Sequence, residues 1–171
     1  MNVLIRLATK TTKNLQALVL QALRSALVYV SAMNILSSSP ELVSSIFQLT
    51  GGSSVEDSNK LNVTKYALEL LIVFSSYLEN GVRIIHKTAK EIAQRTKLQI
   101  FSNFASMLRS GDLDLQANTI TLMNVMLAKA PKDSTKKKLF VSWQASGIID
   151  ILAELDTEYP ATKQQLEIFQ V

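Results

Sequence analysis

The chain has 171 residues, 47% of them hydrophobic and 19% charged, with 5 Gly, 3 Pro and no Cys. That balance supports one domain with a sizeable core. It excludes intrinsic disorder, disulfide frameworks, thiol nucleophiles and cysteine-based zinc sites. The net charge of +4 is spread along the sequence, without the dense basic stripe and interleaved aromatics of a nucleic-acid binder, so no nucleic-acid partner is expected.

The apolar cluster at 3–8 is shorter than a signal-peptide core. The apolar run 70–74 is far below the roughly 20 residues that span a bilayer, and a cytoplasmic location is expected. Residues 14–34, rich in Leu and Ala, read as one helix. Ser39-Pro40-Glu41 is a helix start: a hydroxyl cap, Pro at the first position, then an acid near the positive end. This second helix runs to about Leu49, and 50–59 is a loop by composition.

Residues 62–78 form the strongest helix, which Gly81 breaks just after Asn80. Helices are expected over 82–95 and 98–109, the latter closed by Ser110-Gly111. The helix at 113–130 is stopped by Pro131, and Asp133 or Ser134 caps the next, to about Ala145. Gly147 separates a short helix, 148–155, and Pro160 opens the last one, which the chain end cuts at Val171. No segment sustains the alternation of a strand.

The long helices also repeat. Ala22-Leu23, Ala67-Leu68, Thr119-Ile120 and Gln165-Leu166 align at steps of 45, 52 and 46 residues. Thr64-Lys65 then matches Thr162-Lys163, and Glu69 matches Glu167. Such a period belongs to armadillo and HEAT repeats, whose helix groups bury their apolar faces only by stacking. The expected fold is all-α: an armadillo-type α-solenoid of about three to four repeats, the first incomplete, forming a single domain over 1–171.

Four stretches carry a family resemblance: ALRSALVYVSAMNIL (22–36), KYALELLIVFSSYLEN (65–80), LQANTITLMNVMLAKAPKD (115–133) and TKQQLEIFQV (162–171). In this order and spacing they resemble the third formin-homology region, the armadillo part of the formin regulatory half. The middle segments are most similar to the formin-homology-domain-containing subgroup and to amoebal formins. The resemblance implies a right-handed armadillo superhelix. It also implies a non-catalytic interaction and targeting domain that regulates actin filament nucleation and elongation, at the cell cortex and actin cytoskeleton. The implied partners are an amphipathic autoregulatory helix, a Rho-family GTPase in the context of the full-length protein, and actin-cytoskeleton proteins. The GTPase-binding segment is expected to precede this chain. No proline-rich tract or actin-nucleating domain occurs in these residues, so the chain alone is not expected to polymerise actin.

The expected docking groove follows from helix periodicity. In 62–78 the positions Val63, Tyr66, Ala67, Leu70, Leu71, Phe74 and Leu78 form the buried set. Lys65, Glu69, Ile72, Ser76 and Glu79 recur on another face. Their counterparts one repeat later are Ala117, Thr121, Asn124 and Ala128, and one repeat earlier Leu20, Arg24, Leu27 and Ser31. In armadillo stacks such helices line the concave surface, and mixed small, polar and isolated apolar residues suit the apolar face of a partner helix. The competing reading is an ordinary solvated face. Asn124, in LMNVML, resembles the Asn of a recurrent formin Leu-Ile-Asn-Ala-Leu pattern and reads as a buried or half-buried amide satisfied by neighbouring backbone, with ligand contact as the alternative.

Lys132, Lys136, Lys137 and Lys138 form the one basic run. It reads first as a solvated helix face, with a weak contact to an anionic membrane, or binding of an acidic partner, as the alternative. His86 is the only histidine. Without further ligands or a strained serine elbow it points to no metal, no cofactor and no hydrolytic triad, and Gly51-Gly52 lacks the lysine of a phosphate loop. Trp143, near Leu139 and Phe140, is expected in the core rather than as an exposed hot spot. Tyr29, Phe74 and Met126 are also assigned to apolar faces. The chain is read as a non-enzyme. Competing assignments are an armadillo adaptor of the engulfment-and-motility type, or a structural dimerisation and targeting module.

Overall fold

A computed structural model describes residues 7, 13–27, 29, 39–52, 58–155 and 158–169. Every regular element among them is helical: α1 Lys13–Ala26, α2 Pro40–Leu49, a 3-10 turn Thr50–Gly52, α3 Ser58–Tyr77, α4 Gly81–Thr96, α5 Ser102–Leu108, α6 Leu113–Ala128, α7 Asp133–Ala145, α8 Ile148–Glu154 and α9 Pro160–Phe169.

The helices pack in serial order. α1 lies on α3, α3 on α6, and α6 on α9. α2 and α4 pack on each other and on α3, while α5 joins α6 to α8, and α8 packs on α7. α3 therefore has helices on several sides. Val63, Thr64, Ala67, Leu68, Leu70, Leu71, Phe74 and Ser75 are all buried, which a helix on the surface of a domain would not allow. The positions aligned by the repeat, Leu23, Leu68, Ile120 and Leu166, are each buried in their own long helix. They sit in one continuous core with Phe47, Phe101, Phe104 and Trp143.

Local chemistry explains most boundaries. Pro40 and Pro160 open their helices, where a missing N–H costs nothing. Asp112 caps α6, its Oδ1 accepting from the Leu115 N–H at 2.8 Å. Gly147, at φ 71°, separates α7 from α8 in the left-handed conformation that suits glycine. Gly81 is needed for another reason: a Cβ there would lie 2.7 Å from the Phe74 carbonyl oxygen, so the start of α4 passes against the end of α3.

Several expectations need correction. The helix expected over 98–109 begins only at Ser102, because Lys97 and Phe101 both take left-handed backbone angles (φ 57° and 65°) and interrupt the run. Phe101 accepts that strain because its ring is buried among Phe47, Phe104 and Trp143. The first long helix is described as Lys13–Ala26, with the Leu27 N–H still donating to the Leu23 carbonyl at 3.0 Å; the rest of the expected run, residues 28 and 30–34, lies outside the described residues. Tyr29, assigned to an apolar face, is 68% exposed beyond that end. Ser39 stands at the cap position of α2 without a side-chain capping bond. Lys132, rather than Asp133 or Ser134, is the cap residue of α7; Asp133 lies in its first turn.

Candidate functional site: the face of the long helices

Along α3, the residues between its buried faces form one half-exposed stripe: Lys65, Glu69, Ile72 and Ser76. The 3.6-residue period places them on one side of the helix. Thr121 and Asn124 are half-buried on α6, Leu27 is half-buried just past α1, and Arg24 is exposed on α1. Since α1, α3 and α6 are consecutive neighbours, seven of these residues sit on three adjoining helices, with Leu27 directly after the first. Three outlying positions behave differently. Leu20 is fully buried rather than part of the stripe, because its side of α1 packs on the core. Ala117 is also buried, and Ser31 lies outside the described residues.

Polar contacts lace each long helix to the next. Arg24 Nε lies 3.0 Å from Glu69 Oε2 across α1 and α3, an ion pair without hydrogen-bond alignment. Lys65 Nζ lies 2.9 Å from Asp112 Oδ2 and 3.3 Å from Asp114 Oδ2, joining α3 to the start of α6. Tyr159 Oη donates to Asp114 Oδ1 at 2.9 Å. Asn124 Nδ2 donates to the Gln165 carbonyl at 2.8 Å and to its Oε1 at 3.0 Å, joining α6 to α9. The Asn124 amide is thus satisfied by a neighbouring helix. Ser76 and Thr121 turn their hydroxyls onto the carbonyls of Ile72 and Ala117, so those side chains present mainly carbon outward.

The charges at the α3–α6 seam shift one another. Burial alone would lower the pKa of Lys65, but its hydrogen bonds and charge pairing with Asp112 and Asp114 outweigh that and raise it. The Tyr159 hydrogen bond, then Lys65, hold the Asp114 carboxyl below its usual range. Sequence reasoning missed Asp112 and Asp114. The signal was present: an acid directly before a helical period, followed by a second acid in the first turn.

The basic residues Lys132, Lys136, Lys137 and Lys138 are all exposed, with Lys136 3.9 Å from Asp133. Burial, then Lys90 and Lys138, lower the pKa of His86, which stacks on Phe101 at 6.0 Å. Trp143 is fully buried. Among the described residues no three His, Cys, Asp or Glu side chains are grouped to hold a metal, and no helix is long and apolar enough to cross a membrane.

Comparison with known proteins decides the family. The FHOD1/3 FH3 domain family matches residues 13–151. The chain belongs to the formin FH3 domains. This FH3 domain is 36% identical to Formin-G of Dictyostelium discoideum over 169 residues, 98% of this chain and 15% of that protein. It is 35% identical to Formin-C of the same organism over 151 residues, 88% of this chain and 12% of that protein. With FH1/FH2 domain-containing protein 1 of Homo sapiens it shares 29% identity over 131 residues, 75% of this chain and 11% of that one. The chain therefore spans a small part of the length of these relatives. As an FH3 domain it is a regulatory, non-catalytic formin region.

Proposed function

We propose that this FH3 domain regulates actin filament assembly by a formin, docking the amphipathic autoregulatory helix on the face of α1, α3 and α6. The underlying architecture in this reading is a right-handed armadillo superhelix of about three to four repeats, whose long helices line its concave side. A Rho-family GTPase bound outside these residues, in the full-length protein, would compete with the docked helix. Cytoplasmic and cortical localisation follows from the same reading, with Lys132 and Lys136 to Lys138 giving at most a weak contact with anionic membrane.

The observation that carries this reading is the series of neighbouring long helices, with Leu27, Ile72 and Thr121 half-buried along it. The bridges between helices hold their spacing, so little ordering is needed when a partner helix arrives. Half-buried apolar positions beside a charged rim are what an amphipathic helix reads.

The test is addition in trans. The FH3 domain is added to the actin-assembling carboxy-terminal half of its own formin, and filament growth is followed by fluorescence. The wild-type domain slows assembly, whereas Ile72→Asp with Thr121→Asp loses that effect while keeping its helical circular dichroism. Equal inhibition by both would remove this face as the site.

A further inference from the structure

A second cleft lies away from the long helices. It has a volume of about 420 Å3 and is lined by α2, the 3-10 turn, α4, α5 and the connections around them, with no residue from α1, α3, α6 or α9. That volume falls within the roughly 300–1,000 Å3 of small-ligand and side-chain pockets. Its apolar lining includes Phe47, Ile92, Leu98 and Phe101. Leu98 stands 60% exposed although the other three are wholly or largely covered.

Two further features set this cleft apart. The 97–101 connection on its wall holds Lys97 and Phe101, the two non-glycine residues with positive φ among the described residues. Strain of this kind gathers at ligand clamps; here it leaves Leu98 exposed while Phe101 stays in the core. The charge on the lining is also one-sided. Arg109 contributes a guanidinium with no ion pair among the described residues, and no acidic side chain lines the cleft. Arg95 and Lys97, both exposed, flank the lining residue Thr96. The acid on that stretch of α4, Glu91, lies 3.8 Å from Lys87 and borders a different cavity.

We infer that this cleft is a second docking site, for an acidic peptide segment that inserts one aromatic or large aliphatic side chain against Leu98 and Ile92. The flanking carboxylates meet Arg109, Lys97 and Arg95. An apolar anchor inside a charged rim supplies both affinity and orientation. Because the two sites share no residue, a partner here can be held while the long-helix face is occupied or free.

The probe is a fluorescein-labelled twelve-residue peptide with one phenylalanine flanked on each side by three aspartates. Its anisotropy is titrated with the 171-residue chain. Two controls replace the phenylalanine by alanine, or the aspartates by lysines. Saturable binding is expected for the parent peptide alone. Arg109→Glu should weaken it by at least about tenfold, the effect of losing a charge-assisted contact. Ser106→Trp, at an exposed position on the cleft lining, should abolish it, and Ile72→Asp should leave it unchanged. Circular dichroism melts verify that each variant is folded. The inference is overturned if the parent peptide shows no saturable binding, if either cleft variant binds it as tightly as wild type, or if the lysine peptide binds equally well.

Discussion

Lys65 and Asp112 meet across the α3–α6 seam with Nζ and Oδ2 2.9 Å apart, while the other oxygen of the same carboxylate caps α6 through the Leu115 N–H. One side chain thus starts a helix and ties it to its neighbour. Asp112→Ala removes both functions. The cap contributes about 1 kcal/mol, and the partly buried pair adds up to about another 1 kcal/mol. Urea denaturation of Asp112→Ala should therefore show a loss of about 2 kcal/mol. Asp112→Asn, which keeps a capping oxygen, should lose about half as much. Equal losses would mean that the cap contributes little.

Gly81 should tolerate no side chain. Its Cβ would meet a backbone carbonyl at 2.7 Å, and the main chain of α3 cannot yield as a flexible side chain would. Alanine at the start of a helix normally stabilises. Here overpacking reverses the sign, and Gly81→Ala should cost about 1–3 kcal/mol, read as a lowered thermal midpoint.

His86 gives the fold a mildly acidic weakness. Its folded-state pKa lies below the ordinary value because of burial, Lys90 and Lys138. The unfolded chain therefore takes up the proton first as pH falls through about 6.5. The stability from neutral His86 is complete above that value and is lost as pH drops below it. Thermal melts between pH 7 and pH 5 should show a falling midpoint. His86→Phe, which keeps a ring on Phe101, should flatten that slope. Asp114 acts in a lower window: its depressed pKa gives stability that is present above about pH 4 and lost further into acid.

Asn124 should hold α9 in place. Its amide is a donor to the Gln165 carbonyl. Asn124→Ala removes both hydrogen bonds to Gln165 that tie α6 to α9, at a cost of about 1 kcal/mol. The loss should be local: amide exchange over Pro160–Phe169 should quicken more than over α3. Uniform acceleration would place Asn124 in the global unfolding unit instead.

How much of this was legible beforehand depends on the range of the interaction. The helices followed from period, proline and glycine, and of the expected buried set, Val63, Ala67, Leu70, Leu71 and Phe74 are buried as the 3.6-residue spacing requires, whereas Tyr66 and Leu78 are only half-buried. The stripe at 65, 69, 72 and 76 was readable because α3 is covered on its other sides. What failed was decided by tertiary contact. Phe101 and Lys97 adopt angles that no local propensity favours, since the burial of one aromatic ring sets the connection. Leu20 follows its neighbours inward although the repeat alignment placed it on the stripe. The ties of Lys65 to Asp112 and Asn124 to Gln165 join residues over 40 positions apart, and no periodicity reports such pairs.

The central claim is that the face of α1, α3 and α6 is the docking surface. Its most direct test is a nuclear magnetic resonance titration of the labelled domain with the amphipathic carboxy-terminal segment of its own formin. Shifts should concentrate at Leu27, Glu69, Ile72, Ser76 and Thr121. Shifts confined to α4 and α7, with those residues unmoved at saturation, would contradict it.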